Sequence, residues 1–140
     1  VVERALISRA GLTLAELVVT MALLSSAGLG LLAAFTSGLK LMQQSTNLSM
    51  ATDLGKEMIE GIKAAGYDQA VVGDFDGRRP DPPDALTTFP AQPYPSSWRN
   101  DQQYTLRVVC EQHSPTTRLL RVEVFWGRTH RTSLSTMLHR

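Results

Sequence analysis

The sequence predicts an α+β fold: one long N-terminal helix, its first half apolar and its second half amphipathic, packed on a small C-terminal antiparallel β-meander. Three observations predict it. No charge stands between Glu16 and Lys40, a stretch of about 23 residues, where a helix needs ~20 apolar residues to cross a hydrocarbon core. From Ala51 to Ala65 apolar residues recur at helical spacing. From Tyr104 onward apolar and polar residues alternate one by one, in three runs separated by turn residues.

The chain of 140 residues has room for one modest domain beyond its first helix. A net charge of +1 gives no support for nucleic-acid binding, and none is expected. The Arg residues of the C-terminal third alternate with apolar ones, as on a solvated strand face. Cys110 is the single cysteine, which excludes an internal disulfide and any metal site built on several thiolates. No internal repeat is visible.

Val1–Ala10 carries Arg4 and Arg9 against Glu3, a short basic segment that the positive-inside tendency keeps in the cytoplasm. A secretory signal peptide shares the basic end and the apolar core. It would close with a small-residue cleavage site after the apolar run, whereas here the small residue, Gly11, stands before it. Glu16 lies five residues past Gly11, at the start of the run. An acid at the centre of a membrane helix costs roughly 2.5–3.5 kcal/mol, so such carboxylates generally have a partner and a task. At headgroup level the cost is small, and an ordinary signal anchor with a stray Glu fits that residue taken alone.

The residues around it carry more information. Gly11-Leu-Thr-Leu-Ala-Glu16 followed by an apolar helix closely resembles the processing motif of type IV prepilins, commonly Gly-Phe-Thr-Leu-x-Glu. Leu12, where Phe is usual, is the one departure. The resemblance implies that a prepilin peptidase cuts between Gly11 and Leu12 and N-methylates Leu12. It also implies that Glu16, with Thr13 beside it in the motif, serves subunit assembly, the carboxylate pairing with the α-amino group of a neighbouring subunit. Gly28-Leu-Gly-Leu-Leu-Ala33 resembles a tract of V-type minor pilins. Ala33 and Ala34 stand where major pilins often have a Pro, so a continuous helix is expected.

Past Lys40, Ala51, Leu54, Met58, Ile62 and Ala65 form the apolar stripe, with Asp53, Lys56, Glu57, Glu60 and Lys63 on other faces. Gly66 reads as the C-terminal stop. Tyr67–Gln103, rich in Pro, Asp and Gly, has no sustained period and reads as a long connecting loop. Asp74-Phe-Asp-Gly77 with Asp81 and Asp84 invites a calcium reading. The run lacks EF-hand spacing and holds Arg78 and Arg79, so a solvated acidic turn is preferred and no cofactor is expected.

Tyr104, Leu106, Val108 and Cys110 form the inward face of a first strand. Leu120, Val122, Val124 and Trp126 belong to a second, and Thr132, Leu134, Thr136 and Leu138 to a third. Leu106, Val122, Val124 and Trp126 are expected to face Leu54, Met58 and Ile62. This plan resembles the pilin fold, and Val122–Trp126 with Thr132–Thr136 resembles the C-terminal strands of V-type minor pilins and type II secretion minor pseudopilins. The expected division is a leader (1–11), a transmembrane and assembly half-helix (12–39) and a soluble domain (40–140). The last comprises helix 40–65, loop 66–103 and strands 104–138.

No nucleophile elbow, phosphate loop or metal-ligand spacing among His113, His130, His139 and Cys110 supports catalysis, so the chain reads as the substrate of an enzyme and not as one. Without a cysteine pair, the resemblance points to a minor pilin or a pseudopilin, and the Gly28–Ala33 tract favours a minor pilin that helps start or cap a type IV pilus. A minor pseudopilin of a type II secretion or DNA-uptake system is the alternative, and a single-pass envelope-anchored binding protein the second alternative. The partners so implied are the inner membrane, prepilin peptidase, and other minor and major pilins or pseudopilins. The C-terminal domain is expected in the periplasm and, after assembly, in the fibre or at its tip.

Overall fold

The computed structural model describes residues 13–80 and 89–140. Its first element is α1, Leu14–Ala65, a single helix of 52 residues. No Pro interrupts this stretch, and the glycines within it do not end the helix. It stops at Gly66, whose φ of 92° suits a residue without a Cβ. The Gly66 N–H donates to the carbonyls of Ile62 and Lys63, both at 3.2 Å. The described residues fall into two units that meet between Met42 and Gln43.

In the second unit a short 3-10 turn, Tyr67–Gln69, follows the helix. Five antiparallel strands come next: β1 Gly73–Asp76, β2 Ser96–Arg99, β3 Gln102–Ser114, β4 Thr117–Trp126 and β5 His130–His139. β3, β4 and β5 form the expected meander, with Val108 opposite Val122 and Val122 opposite Leu134. The third and fourth strands are joined at Pro115-Thr116, and the fourth and fifth at Gly127–Thr129, where Gly127 takes a φ of 60°.

The expected loop 66–103 is corrected: it contributes two strands and part of the core. β1 pairs with the Arg107–Cys110 half of β3, and β2 pairs with its Gln102–Thr105 half. Leu106, between them, donates its N–H to the Pro95 carbonyl (2.9 Å) and accepts from the Gly77 N–H (3.0 Å). From Gln102 to Cys110 one edge of β3 is thus satisfied without a gap by two short strands laid end to end. Gly77 is required at this junction, because a Cβ there would lie 2.5 Å from the Pro95 oxygen and 2.8 Å from the Leu106 oxygen. Four-residue strands are too short to display a period, which is why the pattern escaped the sequence reading. Asn100 and Asp101, at φ of 47° and 58°, join β2 to β3 through a two-residue hairpin turn of the kind that fits strand twist.

The core lies between the second half of α1 and one face of the sheet. Ala51, Leu54, Met58 and Ile62 are buried as expected, together with Gly55 and Ile59. Ala65, expected in the stripe, is exposed, since it is the last residue of the helix. Tyr104, Leu106, Val108, Cys110, Leu120, Val122 and Val124 are almost wholly buried and belong to the same cluster. Gly55 is a close crossing point, where a Cβ would come within 2.6 Å of Leu134 Cδ1. Tyr104 Oη reaches Asn47 Oδ1 at 3.4 Å, a polar tie between sheet and helix. Phe75, Phe89 and Tyr94, all from the segment read as loop, close one side of the core. The Phe75 ring stands edge-on to Phe89 at 5.2 Å and to Tyr94 at 6.5 Å. Such pairs contribute about 0.5–1.5 kcal/mol beyond their area burial.

Candidate functional site

The start of α1 is built as a capping box. Thr13 occupies the N-cap position and Glu16 the third helical position. Thr13 Oγ1 accepts from the Glu16 N–H, while Glu16 Oε2 accepts from both the Thr13 N–H and the Thr13 hydroxyl, all at 3.2 Å. Two backbone donors that a helix end would leave unpaired are satisfied reciprocally. The acid in the first turn also complements the helix dipole. The structure therefore brings Thr13 and Glu16 together. Gly11 and Leu12, assigned to cleavage and methylation, lie outside the described residues.

Beyond this box, Leu17, Val18, Val19, Met21, Leu23 and Leu24 are exposed around every face of the helix, and Leu31, Leu32 and Phe35 continue the pattern. A helix that is apolar all round calls for an apolar surrounding, either a protein core or a membrane. The helix is long and apolar enough to cross a membrane. Several of its hydroxyls turn inward on their own backbone. Ser26 donates to the Leu23 carbonyl (2.9 Å), Thr36 to Leu32 and Ala33 (3.1 and 3.0 Å), and Ser37 to Ala33 (2.8 Å). Polar donors bonded in this way do not have to find partners outside the helix, a condition that hydrocarbon imposes.

The acidic residues read as a turn sit on β1 and face arginines. Arg107 Nε and Nη2 grip the two carboxylate oxygens of Asp74 at 2.9 and 2.7 Å, and Nη1 reaches Glu123 at 3.4 Å. Arg78 Nε and Nη2 grip Asp76 at 3.0 and 2.8 Å. Its guanidinium also lies 3.9 Å above the Phe125 ring centroid. Asp81 and Asp84, the other members of the calcium reading, lie outside the described residues. Among the described residues no three His, Cys, Asp or Glu side chains are grouped as a metal site.

The Arg78 hydrogen bond holds the Asp76 carboxyl at about 2, against an ordinary value of 3.8, despite burial acting the other way. Asp74 is likewise lowered, chiefly by its hydrogen bond from Arg107. Asp76 is 8% exposed, so its gap between folded and unfolded values corresponds to about 2 kcal/mol of stability. Because the folded value is depressed, this contribution is complete above about pH 4 and is lost as pH falls towards about 2. Urea unfolding at a series of acidic pH values is expected to show wild type losing more stability across this window than Asp76→Asn. Equal losses would assign the acid sensitivity elsewhere.

Two arginines depart from the solvated-face expectation. Arg107 is half-buried within the network above. Arg118 points towards the core side, donating to the carbonyls of Tyr67 and Ala70 and lying 4.2 Å above the Tyr67 ring. It fastens the turn after α1 to β4. Cys110 is buried as expected, its Sγ 4.0 Å from the Ala70 carbonyl oxygen, and burial pushes the thiol pKa up. A thiol so held is disfavoured as a nucleophile.

The sequence reading missed a cleft at the β4–β5 turn, about 640 Å³ in volume, with Arg78, Phe125, Trp126, Arg128, His130 and Arg131 on its walls. The one available signal was Gly127-Arg-Thr-His-Arg131, a basic turn directly after two aromatic residues.

No protein-family model, curated protein or solved structure matches the chain.

Proposed function

We propose that this chain is a membrane-anchored structural subunit of the type IV pilin-like class, a minor pilin that helps prime or cap a pilus and performs no catalysis itself. The observation that carries the reading is the first half of α1. It is apolar on all faces, begins in the Thr13–Glu16 box, and continues without a break into the half that packs on the sheet. A segment of this kind suits two successive apolar surroundings, the inner membrane before assembly and a bundle of like helices afterwards. The helix-on-sheet architecture and the Gly11–Glu16 motif support the same reading.

On this reading prepilin peptidase cuts between Gly11 and Leu12. Gly11 has no side chain to obstruct entry of the backbone into a protease site at the membrane surface. The freed amino group of Leu12 is methylated and keeps its charge. Intact-mass measurement on protein from native membranes is expected to give a chain beginning at Leu12 and carrying one methyl group. A chain that retains Gly11, or one cut after the apolar run, would overturn the proposal.

A further inference from the structure

We propose that the cleft at the β4–β5 turn is a binding site for a short acidic segment of a partner protein, one that presents carboxylates on either side of an apolar side chain. The proposal rests on the second unit alone and stands independently of how the chain is anchored or processed.

The cleft's walls carry three guanidiniums and an imidazole, and no carboxylate among the described residues. Arg78 is fixed in advance, gripped by Asp76 on one side and stacked on Phe125 on the other. Arg128 and Arg131 are exposed and form no ion pair among the described residues. This contrasts with Arg107 and Arg99, which are engaged by Asp74 and Glu57. Gly127, at positive φ, turns the chain sharply enough to put Arg128 at the tip of the turn, near Arg131 at the start of β5. Two unengaged guanidinium forks on the walls of one cleft suit carboxylates, which they can bind through paired hydrogen bonds.

The aromatic floor gives the apolar half of the match. Phe125, on the same face of the sheet as Arg131, is only partly covered, whereas its neighbour Trp126 points to the other face and is buried in the core. Aromatic and Arg side chains together are the residue types that dominate protein recognition.

The same face of the sheet argues against a nucleic-acid strand. A phosphate backbone calls for a basic stripe that follows it over several nucleotides. Here the row of Thr105, Phe125 and Arg131 is followed directly by the row of Asp76, Arg107, Glu123 and Ser133. Asp76 and Glu123 thus limit the positive ground to one cleft, which fits a discrete pair of anionic groups.

The test uses the full chain in neutral-detergent micelles and fluorescence anisotropy of labelled short peptides with an Asp-Phe-Asp centre. The probes for comparison are the Asn-Phe-Asn counterpart and a labelled oligothymidylate. The Asp peptide is expected to bind, and the Asn peptide to bind more weakly by about tenfold or more. Arg128→Gln combined with Arg131→Gln is expected to weaken the Asp peptide by about tenfold or more. Arg121→Gln, an exposed arginine outside the cleft, is expected to leave binding unchanged. Melting curves and the near-ultraviolet dichroism of Trp126 check that the double variant keeps its fold, and a variant that loses it is replaced by the two single substitutions. The proposal is overturned if the Asp peptide fails to bind or binds no better than its Asn counterpart. Undiminished binding by the arginine variants overturns it equally, as does tighter binding of the oligothymidylate.

Discussion

Trp126→Ala is expected to destabilise the second unit, Gln43–Arg140, by about 3–5 kcal/mol, as loss of a large core aromatic generally does. Trp126 is the last residue of β4 and is only 7% exposed. It stands opposite Tyr104 in the β3–β4 register, with ring centroids 6.3 Å apart, and its other side is covered by His130. Truncation would open a void at the end of the core where Tyr104 meets Asn47 of the helix. Tyr104 cannot move to fill it, because it is itself wholly buried and β3 is paired on both edges at this position. Against a total stability of roughly 5–15 kcal/mol this is a large share. The melting temperature of the full chain in detergent, followed by the sheet signal in circular dichroism, is expected to fall by roughly 12 °C or more. A fall of less than about 4 °C, the shift that ~1 kcal/mol produces, would remove Trp126 from the core.

What made the helix and the meander legible was length. Fifty-two helical residues and three strands of ten residues or more leave enough repeats for their periods to be seen. The packing partners followed from those periods, since Leu54, Met58 and Ile62 join Leu106, Val122, Val124 and Trp126 in one buried cluster. Where the period failed, tertiary partners did the work. Phe75, Phe89 and Tyr94 are scattered among prolines and aspartates, and only the folded chain gathers them. Asp74 looked like part of a solvated turn because its arginine partner, Arg107, lies 33 residues away in sequence, whereas Arg78, the partner of Asp76, is two residues off and already spoke against a cation site. Two local signals were present and passed over. Asn100-Asp101 is a hairpin-turn pair, and Thr13 with Glu16 three residues later is the signature of a capping box.

The capping box sharpens the test of Glu16, whose replacement is expected to produce the largest functional effect. In the box only Oε2 accepts hydrogen bonds, from the Thr13 N–H and hydroxyl, so Oε1 is not spent on the helix start. On the proposed function that second oxygen receives the charged amino group freed at Leu12 of a neighbouring subunit. Moved into a fibre core without such a partner, the carboxylate would be an unpaired buried charge costing several kcal/mol. Two substitutions separate the local role from the assembly role. Glu16→Ala removes both the cap and the charge, and loss of the box alone costs about 0.5–2 kcal/mol of helix-end stability. Glu16→Gln keeps a side chain able to cap, since Gln serves in a capping box as Glu does, and removes only the charge. Both variants are expected to insert in the membrane and to be cut after Gly11. Both are also expected to lose recruitment by about tenfold or more, the penalty of an uncompensated buried amine. Co-purification with partner pilins at equal membrane levels measures it. If Glu16→Gln is recruited like wild type while Glu16→Ala is not, Glu16 acts as a helix cap and not as a counter-charge. If both are recruited undiminished, the carboxylate has no part in assembly.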